Sequence, residues 1–162
     1  LYKSNIDKKN IMSENSFRIH KGDWLLKEYI LNTAAGAVEK GDLIEIATAD
    51  DQTTELATDD AACIVGIAAA NYANDASNDT NIKVWVPNSP KAEMIGRITD
   101  GVAVVGTDIN RNCDVEDHEG VDVDTKTHSH LFLVKVTVAC TDGGVGEGIF
   151  RIVQTPEMMG AF

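Results

Sequence analysis

Turn-forming residues recur so closely along this chain that a long helix has nowhere to form. The stretch from Gly36 to Tyr72 shows the pattern: GAVEKGDLIEIATADDQTTELATDDAACIVGIAAANY. A turn at Glu39-Lys40-Gly41-Asp42 opens a short apolar strand, Leu43 to Ala47. An acidic loop follows, then Thr53 to Thr58, then Ile64 to Ala70, a run small and apolar enough for a strand buried on both faces. Nothing in this stretch is reactive, and its rhythm suits a small barrel better than an enzyme pocket.

The rhythm continues in both directions. Trp24 to Asn32 carries Tyr29, Ile30 and Leu31 and reads as a strand. Ile82 to Val86 alternates, with Ile82, Val84 and Val86 on one face and Lys83 and Trp85 on the other; Pro87 and Pro90 bound its end. Glu93 to Thr99 is a strand closed by Asp100-Gly101, across which Val102 to Val105 is expected to pair back. In Leu131 to Ala139, alternation places Phe132, Val134, Val136 and Val138 on one face. A glycine-rich turn leads to Gly148–Val153, where Phe150 and Ile152 alternate against Arg151. Short strands separated by turns predict an all-β fold: a small antiparallel β-barrel or sandwich with an extended N-terminal arm. The expected division is an arm over residues 1–22, a β-barrel domain over 23–155 and a tail over 156–162.

Charge is distributed unevenly. The net charge is -12, yet residues 1–27 hold six basic and three acidic residues. The acidic remainder argues against nucleic acid and against an anionic membrane surface, both of which need a positive face. No run approaches the length of apolar residues needed to span a bilayer, and the first 20 residues show no secretory leader. Met12 could open a reading frame, MSENSF. Cys63, Cys113 and Cys140 are an odd set without CxxC spacing, which suits buried thiols in a reducing compartment.

The densest polar cluster runs from Asp108 to His130. His128 and His130 share one side of an extended backbone, about 7 Å apart. With Asp122 and Asp124 they form the alternative reading, a metal-binding or metal-dependent enzyme module. The plainer reading is an acidic solvated loop, with no metal, no cofactor and no catalytic residue. A glycan-binding surface built on Trp24 or Trp85 is disfavoured by an aromatic content of 6%.

The order of these features resembles the small β-barrel capsid decoration, or cement, proteins of tailed bacteriophages. The resemblance runs over roughly residues 24–153, through GAVEKGDLIEI, ELATDDA, IVGIAAANY, IKVWVPN and TDGVAVVGTDINRNCDVEDHEGVDVD. Its most specific pieces are Gly41-Asp42-Leu43-Ile44 and Val65-Gly66-Ile67-Ala68. It implies a non-enzymatic virion protein on the outer capsid surface, assembled in the host cytoplasm, with the major capsid protein as partner and a homotrimer as favoured oligomer. On that view Lys3, Lys8, Lys9, Arg18 and Lys21 of the basic leader would contact the capsid, and Met158, Met159 and Phe162 would contact neighbouring subunits.

Overall fold

The structure is a computed structural model, which describes residues 16–153 apart from 34, 48–52, 60, 62, 107–109 and 142. The described residues form strands and turns only. In chain order the strands are β1 (Phe17–Lys21), β2 (Trp24–Leu31), β3 (Leu43–Ile46), β4 (Thr54–Leu56), β5 (Ile64–Ala68), β6 (Thr80–Pro87), β7 (Glu93–Asp100), β8 (Arg111–Asp117), β9 (Gly120–Asp122), β10 (Leu131–Val138) and β11 (Gly146–Ile152). The fold is therefore all-β, as the turn spacing predicts.

Where one barrel is expected, two form. Strands β2 to β6 close in the order β2-β4-β3-β5-β6, and β7 to β11 close in the order β7-β9-β8-β10-β11. The two rings are wound identically. In each, the first strand runs parallel to the third, and every other contact is antiparallel. The chain makes the same structure twice with little sequence echo, because a barrel wall needs only alternation, not particular residues.

Alternation explains the cores. Ile82, Val84 and Val86 point into the first barrel with Leu31, Val38, Ile44, Val65 and Ala68. Strand β5 is buried along its whole length. Its Val65 and Ala68 fill the first barrel, while Ile64 and Ile67 join a second cluster with Leu43, Met94, Ile98, Val115, Leu131, Leu133 and Phe150. That second cluster fills the second barrel and runs continuously into the outer wall of the first. Gly66 permits the approach of β5 and β6: a Cβ there would lie 2.0 Å from the Trp85 carbonyl oxygen.

Four expectations are corrected. Residues 17–21 of the expected arm are strand β1, which pairs with β7 from Phe17↔Gly96 to Lys21↔Glu93. Val102 to Val105 does not pair back on β7, whose edges are taken by β1, β9 and β11; instead Ala103 bridges to Cys140. In β10 the buried residues are Leu131, Leu133 and Val136, because a register shift between Leu133 and Lys135 inverts the alternation. The acidic segment is largely a hairpin, β8–β9, with Cys113, Val115, Val121 and Val123 inward.

Strand β1 is anchored by Phe17, 1% exposed, whose ring lies where Gly96 leaves room: a Cβ on Gly96 would meet it at 2.4 Å. Phe17→Ala empties that space and is expected to cost about 3–5 kcal/mol. Urea unfolding should show a lower midpoint with an unchanged slope.

Candidate functional site

The polar residues singled out in the sequence converge where the two barrels meet. A cleft of about 340 Å³ is lined by Asp59, Asp100, Asp114, Val115, Glu116, Asp122, Thr125, Thr127 and His128. Asp59 comes from the first barrel, and the rest come from β7, β8, β9 and the segment leading to β10. The lining is strongly acidic, so the cleft attracts positive groups.

Most of its polar groups already serve the fold. Asp114 is buried and accepts the backbone N–H groups of His128 at 3.0 Å and Ser129 at 2.6 Å. Asp122 Oδ1 accepts the N–H groups of Asp124 and Thr125, Asp100 accepts that of Gly101, and Glu116 accepts the hydroxyl of Thr99. Asp124 accepts the Val102 N–H and lies 3.9 Å from the Arg111 guanidinium.

His130 is the tie between barrels. The Val115 N–H donates to its Nδ1 at 3.2 Å, which fixes the proton on Nε2, and Nε2 donates to the Ala61 carbonyl at 2.6 Å. Burial lowers the pKa of this imidazole, partly offset by the Ala61 bond and by the Asp114 charge. His128 stacks on it, ring centroids 5.2 Å apart, and is more exposed. The metal alternative on His128, His130, Asp122 and Asp124 is thereby corrected. Both nitrogens of His130 are committed, and Asp122 and Asp124 are held in their own turns. Among the described residues, the group spaced to hold a cation is instead Asp42, His118 and Glu119. His118 and Glu119 stand in the acidic run, but only folding across the two barrels brings Asp42 to them.

A buried carboxyl lies on the same seam. Glu45 of β3 is 1% exposed and directly opposite Glu55. It accepts the Thr58 N–H at 2.9 Å. Burial pushes its pKa up to about 7, with the Thr58 bond opposing and Glu55 adding to the rise.

The remaining candidates are placed as follows. Arg18 pairs with Glu147 at 3.2 Å and Lys21 with Glu93 at 3.3 Å, so both serve the second barrel. Burial would raise the Glu93 pKa, but hydrogen bonds from Arg151 and Lys21 outweigh it and hold the carboxyl below the usual range. Lys3, Lys8, Lys9, Met158, Met159 and Phe162 lie outside the described residues. Trp24 and Trp85 both pack in part against the larger core, with the Trp24 indole N–H on the Lys21 carbonyl. All three cysteines are buried thiols, and burial raises the Cys113 thiol to about 12, which removes its thiolate chemistry. No protein-family model matches the chain, and no curated protein matches it.

Two titrations of opposite sign follow. The folded-state pKa of Glu45 lies above its ordinary value, so its burial costs stability as pH rises from about 4.5 to 7. Glu45→Gln is expected to be more stable than the parent at pH 8, by up to about 3 kcal/mol, and equal to it below pH 4.5. The folded-state pKa of His130 is depressed, so its contribution is complete above about pH 6.5 and is lost as pH falls below that. Urea titrations of Glu45→Gln across this range should show the acid-side loss uncovered, and Glu45→Gln/His130→Gln should lack it.

Proposed function

We propose that the chain is a structural virion protein that works by contact. It binds the outer surface of a tailed-phage capsid as a decoration, or cement, protein and holds neighbouring capsomers together. The observation that carries this reading is a set of aliphatic side chains left in solvent on a doubly closed body. On β2, Leu26 and Ile30 share one face and are 45% and 41% exposed, and Leu25 on the opposite face is 43% exposed. At the far end of the second barrel, Val102, Val104, Val105 and Val138 are 48–52% exposed, on segments joined by the Ala103–Cys140 bridge. Scattered apolar residues are ordinary on a surface, but groups of them mark places where another protein sits.

The remaining chemistry agrees with contact rather than turnover. The histidine and carboxylates gathered at the seam hold backbone and neighbouring loops, which rigidifies the body instead of activating a nucleophile. Closed barrels also expose few sheet edges, so the body can stand on a surface at high density without stacking on itself. A homo-oligomer, with a trimer favoured, would multiply each patch by symmetry on the shell. Residues 1–15, with Lys3, Lys8 and Lys9, would reach to the major capsid protein, while Arg18 and Lys21 keep β1 in place.

The test separates particle from soluble fractions on a density gradient and quantifies the chain in each. The expected result is co-sedimentation with capsid shells in a fixed ratio to the major capsid protein; recovery in the soluble fraction alone would overturn the reading. A chain beginning at Ser16 retains β1 and is expected to keep its melting temperature. It should bind shells at least tenfold more weakly than the full chain.

A further inference from the structure

The turn that starts β3 and the turn between β8 and β9 belong to different barrels, yet they meet. The Leu43 N–H donates to the His118 carbonyl at 2.9 Å, and Thr58 bridges to Asp117. This contact brings three side chains together: Asp42 from the first barrel, and His118 and Glu119 from the second. Each offers one ligand atom, and those atoms lie within 4.8 Å of one another. The set is mixed. An imidazole nitrogen with two carboxylates is a donor combination that suits a borderline divalent transition ion, rather than the all-oxygen shell that calcium takes.

A second observation concerns the carboxylate of Asp42. The residue is 4% exposed, and a single donor reaches it, the Glu39 N–H on Oδ2 at 2.8 Å. Oδ1 accepts no hydrogen bond among the described residues. Oδ1 is not fully enclosed, so water or a small ion can reach it. Here its open side faces an imidazole and a second carboxylate, whose negative charge a neighbour of the same sign cannot relieve.

We propose that Asp42, His118 and Glu119 form a site for a divalent transition ion of the zinc type, which fastens the first barrel to the second. Water completes the coordination, and the exposed Glu119 closes over the ion by side-chain rotation. This site is independent of the capsid-binding reading: it concerns the seam inside one molecule, and either can fail while the other holds.

The probe is Zn²⁺ added to the full chain after chelator treatment. At a hundredfold excess over its Kd, Zn²⁺ is expected to raise Tm by about 5–10 °C, with one ion bound per chain by calorimetry. His118→Ala and Glu119→Gln change residues of an exposed turn and leave the cores intact; each should lose most of that shift and weaken binding at least tenfold. His128→Ala, which removes the rival imidazole at the other cleft, should retain both. The proposal is overturned if the parent chain shows no shift, if the shift survives His118→Ala, if His128→Ala abolishes it, or if Ca²⁺ produces it and Zn²⁺ does not.

Discussion

Each barrel depends on one short parallel contact. In the first, β2 meets β4 at Leu31 opposite Thr54; in the second, β7 meets β9 at Ile98 opposite Val121 and Asp100 opposite Asp122. Without these contacts each set of five strands would be an open sheet with one long edge, β2 or β7, and one short edge, β4 or β9. Parallel neighbours cannot be joined by a hairpin, so closure rests on loops folding back and on what fills the interior. Leu31, Ile98 and Val121, the residues at those contacts, are each 0% exposed. Backbone pairing therefore positions the closing strands, and apolar burial supplies the driving force that holds them there.

The same reasoning explains why so many polar groups gather at the seam. Two closed barrels can share a core only where the outer wall of one is itself apolar, and Leu43, Ile64 and Ile67 provide that wall. The loops around this shared core end on buried backbone groups that need partners. Asp114, His130, Glu45 and Asp42 meet that need. Burial at this seam shifts the titrations of His130, Glu45 and Asp42, and the Val115–His130–Ala61 relay shows such a group serving as an internal tie.

The strands legible in the sequence are those whose apolar residues alternate without interruption. β6 and β11 read directly, and β5 reads as buried on both sides because nothing in it is polar. β8 and β9 were obscured because acids occupy their outward positions, so that Cys113, Val115, Val121 and Val123 had to be seen as a sparse alternation inside a charged run. β10 was legible as a strand but not as to its face: the extra residue at the bulge has no sequence mark. The Asp100-Gly101 turn promised a hairpin, but local turn chemistry lost to the tertiary pairings available to β7. Of the site, His128, His130 and the acids were visible as residue types. What they bind was not, because the partners (Ala61, Val115, Thr58) are backbone groups brought in from elsewhere in the chain. The duplication of the winding was also hidden, since it lies in the order of pairing and leaves no repeat in the residues.

Strand β1 precedes the first barrel in the chain and yet belongs to the second, riveted to β7 by Phe17 and Lys21 and to β11 by the Arg18–Glu147 pair. The molecule is thus laced in an order different from its sequence. Tension applied to the leader enters the second barrel first and reaches β2 only after β1 has peeled from β7. A tether of that kind shields the first barrel mechanically: apart from the single Phe17 N–H bond to the Gly41 carbonyl, a tug at the N-terminus is borne by the Phe17 anchor and two ion pairs before β2 to β6 is loaded.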